Sequence, residues 1–272
     1  MQLDAYLRRI GLNARPPATL EGLRAVHRAH LLAIPYENLD VQLRRRVTIE
    51  RPAIYEKIVG RNRGGWCYEM NGLLGWALGE LGFDVTRATG SVMRELAGDA
   101  SNANHLVLRV SLPEGIYLAD VGFGDGPSDP IPVAADAFGS NGFEFSVRRV
   151  DETWWRLHSH PFGAAPSFDF NLDQANEMQL AAKCAELQDD PQSHFRLNLF
   201  CFRHTKQGVT SLRGRVLRKI TPHGISEKLL DNANDLMAVL HDEIGVDVPE
   251  ARTLWPSIVK RHDDVMAQKE EN

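Results

Sequence analysis

Apolar residues recur at helical spacing from the start of the chain to about residue 83, then at every second position to about residue 173. Leu3, Tyr6, Leu7 and Ile10 form one helical stripe. Thr19 stands where a cap is needed before a second stripe of Leu20, Leu23, Val26, His27, His30 and Leu31. Pro35 disfavours the α conformation at Ile34, so residues 34–40 break the pattern. Met70, Leu73, Leu74, Ala77, Leu78 and Leu81 make a third stripe that closes at Gly82. Beyond it, apolar runs at 105–111 and 116–121 flank Pro113-Glu114-Gly115, a hairpin signal. Residues 143–148 alternate cleanly and 153–158 follow after a short turn, so this region reads as a small antiparallel barrel or sheet. A helical stretch returns at about 174–190, with strand-like segments at 198–203, 209–212 and 215–220. A helix is expected from about Ser226 to Leu240, and the polar tail after Arg261 reads as frayed.

Composition narrows the function classes. With 272 residues, 43% hydrophobic and 25% charged, the chain can bury a sizeable core in two or three domains. Its 31 basic and 36 acidic residues leave a net charge of −5, which argues against nucleic acid as a partner. The basic runs at 44–46 and at Arg213, Arg215, Arg218 and Lys219 read as solvated faces, with phosphate contact as the alternative. No apolar run is long enough for a membrane span, and Arg8 and Arg9 are not followed by the apolar stretch of a secretory signal. Three cysteines without a CxxC pair argue against a disulfide framework or a zinc site and fit a reducing, cytoplasmic location.

The residues with chemistry begin at Cys67. It follows Arg63-Gly64-Gly65-Trp66 and opens the third helical stripe. A cysteine in a first turn faces orphan N–H groups and the positive end of the helix, and both favour the thiolate. The alternative is a cysteine used as a small buried hydrophobe. A thiolate needs a base, and the base an orienter. Of ten histidines, His27 and His30 read as surface or core-edge residues of a helix, and most others lie in polar or turn contexts. His105 differs, because it opens an apolar strand directly after the polar loop 98–104. Asp120 lies near the end of the next strand, where a carboxylate needs a partner. Hairpin pairing would bring the two together; the competing role for Asp120 is to bind N–H groups of the turn that follows. Cys67, His105 and Asp120 are thus the candidate nucleophile, base and orienter.

These segments resemble the arylamine N-acetyltransferases. The family's Arg-Gly-Gly-x-Cys-x-Glu-x-Asn is matched by Arg63, Gly64, Gly65, Cys67, Glu69 and Asn71. Its Ile-Pro-Phe-Glu-Asn-Leu element stands at 34–39 with Tyr36 in place of Phe. Its Asp-Val-Gly-Phe-Gly stands at 120–124, its Tyr-x-x-Arg-Ile-Gly at 6–11, and its Pro-x-Ser-x-Phe at Pro191, Ser193 and Phe195. The likeness runs over roughly residues 3 to 220.

The resemblance implies an α+β fold: an N-terminal helical bundle (1–83) carrying the nucleophile, a central antiparallel β-barrel with connecting helix (84–190) carrying His and Asp, and a C-terminal α/β lid (191–272), around a cysteine-protease-like Cys-His-Asp core. It implies ping-pong transfer of an acetyl group from acetyl-CoA, through acetyl-Cys67, to an arylamine or hydrazine, without a metal. Tyr36, Val92 and Phe123 would line the acceptor pocket, plain core being the alternative. Arg63 and Glu37 would form a buried ion pair, with Glu69 and Asn71 fixing the same turn. Two departures stand out: residues 184–189 read Cys-Ala-Glu-Leu-Gln-Asp where an Asn, an aromatic and Ser or Thr are common, and Asn104 replaces a common Thr. The rival is a transglutaminase-like or papain-like cysteine amidase or acyltransferase with another acyl donor. A CoA-binding protein without activity is a further alternative.

Overall fold

Thr19 Oγ1 accepts the N–H of Gly22 and starts helix Leu20–Ala33, which ends at extended Ile34 before Pro35. The computed structural model describes residues 1–133 and 136–270. Helix Cys67–Glu80 is buried on every side, with Glu69 and Asn71 as deep as Leu73 and Leu74. It is a core helix, and its polar residues therefore need internal partners. Helices Leu3–Arg9 and Leu20–Ala33 pack on it through Tyr6, Leu7, Leu23 and Val26.

An eight-stranded antiparallel sheet adjoins this bundle, in the order Ile131–Pro132, Gly115–Ala119, His105–Leu112, Asp84–Val92, Ser167–Gln174, Trp155–His158, Phe143–Arg149, Ala137–Ser140. Val107, Leu118, Ile131, Phe145, Leu157 and Phe168 come from strands across that order yet share one core. A flat sheet cannot bring its two ends to a common core, so this one curls into a half-barrel with two edges. The expected hairpin closes where Leu112 pairs with Gly115.

A second sheet of five antiparallel strands runs Tyr36–Glu37, Phe200–Thr205, Gly208–Arg213, Val216–Thr221, Gly224–Leu229. Its back, through Cys201, Leu212 and Leu217, packs on Leu236, Leu240 and Ile258 of the C-terminal helices. Its first strand comes from the 34–40 element, which also bridges Gly65 of the glycine turn.

Two expectations fail here. Residues 226–229 belong to strand Gly224–Leu229, and the helix begins only at Ala233, where the side chain of Asn232 accepts the N–H groups of Asn234 and Asp235. That cap lies six residues beyond the expected start, and the apolar residues before it, Ile225 and Leu229, are spaced as on a helix although they lie in a strand. The tail after Arg261 continues helix Trp255–Glu270, docked through Ile258 and braced by a Lys260–Asp264 pair at 2.7 Å; its last two positions lie outside the described residues. No helix among the described residues is long and apolar enough to cross a membrane.

Candidate active site

The glycine turn is clamped from below by buried charge. Arg63 donates to Glu37 Oε1 from Nε and Nη2 at 3.0 and 2.6 Å and to Asp40 at 3.2 Å. Lys57 lies 2.9 Å from Asp40 and 2.8 Å from Glu69, and Glu69 accepts the N–H of Trp66 at 3.2 Å. Lys57 gave no signal in the sequence, because its partners are scattered along it. Burial works against its charge, but Glu69, Glu37 and Asp40 outweigh it and raise its pKa. The turn presses so closely on the chain at 35–37 that a Cβ on Gly64 would come within 2.9 Å of the Glu37 side chain. Glycine is required there by space.

Cys67 opens its helix at 2% exposure, in a cluster with Tyr36, Trp66, Tyr68, Ala103 and Leu106. Its Sγ lies 3.8 Å from the carbonyl of Asn104. The helix start favours the thiolate as expected, but burial outweighs it. Burial pushes the Cys67 thiol well up, Cys184 and Asp120 add to this, and the N–H groups of Leu106 and Tyr68 oppose it without prevailing.

His105 and Asp120 meet as the hairpin predicts: Nε2 lies 2.7 Å from Oδ2, both side chains buried. The other carboxylate oxygen accepts from Asn71 Nδ2 at 2.7 Å and from the Gly122 N–H at 2.8 Å. Asp120 therefore makes both contacts weighed from the sequence, one with each oxygen. Burial would raise its pKa, but His105, Asn71 and Gly122 hold it below the usual carboxylate range. Asn71 reaches this loop, also accepting the Val121 N–H at 2.9 Å, and does not fix the glycine turn. Gly122 lies against the nucleophile, where a Cβ would fall 2.7 Å from Cys67 Cα. Gly90 leaves room for the imidazole in the same way.

His27 and His30 are fully buried, contrary to expectation. Each has a specific partner, although His30 Nε2 is buried without one among the described residues. His30 Nδ1 bonds Tyr6 Oη at 2.9 Å. His27 Nδ1 lies 3.0 Å from the Ser128 carbonyl, and its Nε2 faces the Asp120 N–H at 3.3 Å. Burial lowers the pKa of His27, and a neutral ring with its proton on Nδ1 satisfies both bonds. It pins the loop 120–128 from behind, a role the helical stripe concealed.

Phe123 and Val92 are half-buried beside this centre, and Tyr36 is buried. Phe123 lies 6.1 Å from the His105 ring and 4.7 Å from Phe168. Asn104 grips Val92 from both sides, accepting its N–H at 2.7 Å and donating to its carbonyl at 3.1 Å. Tyr36 meets Phe202 edge to face at 5.7 Å; the sequence reading missed Phe202. In the unusual 184–189 stretch, Gln188 is buried and ties helix Glu177–Asp189 to Val47 in both directions, at 2.9 and 3.0 Å. Among the described residues no group of three or more His, Cys, Asp or Glu could hold a metal.

A buried cysteine at a helix start, beside an imidazole–carboxylate pair carried by an adjoining sheet, has the layout for nucleophilic acyl chemistry. The N-acetyltransferase family model matches residues 19–253. The arylamine N-acetyltransferase of Mycolicibacterium smegmatis is 34% identical over 264 residues, covering 91% of this chain and 93% of its own length. A Salmonella typhimurium arylamine N-acetyltransferase / N-hydroxyarylamine O-acetyltransferase is 30% identical over 257 residues, with 92% and 90% covered. Among solved structures, the M. smegmatis enzyme superposes with a TM-score of 0.86 at 32% identity, covering 96% of this chain and 98% of that one. The Mycobacterium marinum enzyme in complex with CoA gives 0.86 at 29% identity, with 97% and 99% covered. The chain belongs to the arylamine N-acetyltransferase family. That membership favours acetyl transfer over the amidase alternative.

Proposed function

We propose that this protein transfers acetyl groups from acetyl-CoA to arylamines or hydrazines through an acetyl-cysteine on Cys67, with His105 as base and Asp120 as orienter. The 2.7 Å bond between His105 and Asp120, on the sheet beside the Cys67 helix, carries the reading. With Nε2 bound to the carboxylate, Nδ1 is the nitrogen left to take the thiol proton. The thiolate attacks the thioester carbonyl, and the tetrahedral adduct expels CoA, whose sulfur recovers the proton from the imidazolium. An amine then attacks acetyl-Cys67. His105 takes its proton and returns it to the leaving Cys67 sulfur. Tyr36, Val92 and Phe123 are proposed to line the acceptor pocket, with Phe202 facing Tyr36. Arg63, Glu37 and Glu69 hold the turn before the nucleophile, and Asn71 holds Asp120. Three free cysteines suit the cytoplasm, the proposed location.

The test is intact mass spectrometry with acetyl-CoA and no amine. An increment of roughly 42 Da that maps to Cys67, and vanishes in Cys67→Ala, is expected for the acyl-enzyme. Folded protein that gains no such mass refutes the reading.

A further inference from the structure

Strands Asp84–Val92 and His105–Leu112 pair as far as Gly90 and His105. Continued register would set Ser91 against Asn104 and Val92 against Ala103. The ladder stops because Ala103 takes a left-handed φ of 64° and turns its strand away. On the other strand Met93, at φ 62°, turns the chain directly after Val92. Val92 is thus a strand end whose N–H and carbonyl face the gap. The side-chain amide of Asn104 stands in for the missing peptide of the partner strand. It accepts the Val92 N–H at 2.7 Å and donates to the Val92 carbonyl at 3.1 Å. A carboxamide brings a separate donor and acceptor to this task, whereas a hydroxyl has one oxygen for both. Left-handed non-glycine residues persist where their surroundings fix them. Here Ser91 Oγ donates to the Ser101 carbonyl at 3.1 Å, and Tyr68 Oη to the Ala103 carbonyl at 2.6 Å.

Val92 shares a face with His105. Gly90 stands opposite His105, and Val92 is two residues beyond Gly90. Across the next pairing Val92 stands opposite Phe168, whose ring lies 5.2 Å from His105 and 4.7 Å from Phe123. Val92 and Phe123 pack on the same half-barrel core. The backbone of Asn104 meets the nucleophile, its carbonyl 3.8 Å from Cys67 Sγ. One residue therefore ties the apolar wall beside His105 to the sulfur. Val92 and Asn104 are both half-buried. Packing alone holds such a strand end weakly, so the two side-chain bonds decide where it stands.

We infer that Asn104 is a positioning residue for acceptor choice: by pinning Val92 it limits the bulk beside the attacking nitrogen that the acceptor pocket admits, and so favours amines on a single unhindered ring. The inference rests on the acetyl-transfer reading and on Val92 as a wall of that pocket.

The experiment compares aniline with 1-naphthylamine, whose second ring stands beside the nitrogen, as acceptors for wild type, Asn104→Ala and Asn104→Thr. In a ping-pong reaction kcat/KM for the amine starts from the acetyl-enzyme, so the ratio between two amines cancels the acetylation step. Freeing Val92 is expected to raise the ratio of 1-naphthylamine to aniline by about 3- to 10-fold in Asn104→Ala, the scale of a lost hydrogen-bonding partner, and by less in Asn104→Thr. Exchange of the Val92 amide proton, followed by NMR on valine-labelled protein, is expected to quicken by about 5- to 20-fold in Asn104→Ala. An unchanged ratio in the variants that fold, or an equal loss with both amines, overturns the inference, because a residue that only supports the fold moves both acceptors together. Wild type that acetylates neither amine overturns the acetyl-transfer reading instead. Unaltered Val92 exchange in Asn104→Ala overturns the clamp, and with it the inference, without reference to activity.

Discussion

Replacing Asp120 by Asn tests the relay at its narrowest point. The carboxylate serves three donors: Asn71 and Gly122 on one oxygen, His105 on the other. Asparagine keeps one oxygen. Leaving it where two donors converge turns the amide NH2 toward His105 Nε2, which must then accept. A neutral ring that accepts at Nε2 carries its proton on Nδ1 and cannot take the thiol proton there. The substitution also removes a charge-assisted bond to the imidazolium, about 1.5–3 kcal/mol. With the tautomer penalty, acetylation of Cys67 should slow by about 10³- to 10⁴-fold, or ~4–5.5 kcal/mol at 1.36 kcal/mol per factor of ten. Rapid-quench single turnovers with acetyl-CoA, read by intact mass, measure that step without the amine. An acetylation rate within threefold of wild type, in a variant with normal melting, would refute the assignment of Asp120 as orienter. The pH dependence has a definite sign. The Asp120 pKa is depressed on folding, so its stabilisation is complete above the ordinary value of 3.8 and is lost as pH falls through the depressed folded value. The variant should lack that acid-limb loss.

Two further outcomes follow from the buried charges. Glu37, Asp40 and Glu69 surround Lys57 and Arg63, three carboxylates for two buried cations, with exposed Arg45 3.6 Å from Asp40 at the edge. Glu37→Gln leaves the cluster balanced but breaks the short Arg63 pair, so a loss of about 2–3 kcal/mol in urea unfolding, with lower folded yield, is expected. Lys57→Met leaves three carboxylates against one buried cation and should cost more; the reverse ranking, or unchanged melting in both, would count against the clamp. Asp125 is 1% exposed; among the described residues Oδ1 has no partner and Oδ2 accepts the Ala164 N–H, and burial raises its pKa from 3.8 to about 7. A raised carboxyl favours folding while protonated, so wild type should lose about 4 kcal/mol as pH rises from 4 to above 7, at 1.36 kcal/mol per unit. Asp125→Asn should remove that slope, and matching stability–pH curves for the two proteins would rule the assignment out.

The sequence carried more of the site's location than of its supports. Period-two alternation around Pro113-Glu114-Gly115 was enough to bring His105 and Asp120 together, because a short turn leaves little choice of register. Lys57, His27 and Phe202 left no trace, since their partners lie far away in sequence and a helical stripe cannot tell an apolar contact from a hydrogen-bonded imidazole. The helix expected at 226–240 failed because apolar residues in a short edge strand mimic a helical stripe, and only the Asn232 cap separates them. The run at 213–219 read as a single basic face, yet alternation sends its members to opposite sides of a strand.

The helix start is an incomplete reason for choosing Cys67. A helix N-terminus contributes roughly 0.3–1 kcal/mol to an anion, up to ~2 when partly buried. Full burial can shift an ionisable group by about 3–5 units, or ~4–7 kcal/mol. At 2% exposure burial wins, and the Cys67 thiol is held high. Under the proposed mechanism, ionisation then comes from pairing with an imidazolium whose charge is itself compensated. Asp120 supplies that compensation, and Asn71 fixes Asp120. Cys67 and Asn71 stand four residues apart, on one face of one helix. The helix that presents the sulfur therefore also anchors the far end of the relay that must ionise it. A shift of this helix against the half-barrel would move Cys67 and Asn71 together, away from His105 and Asp120, which are buried on the half-barrel side.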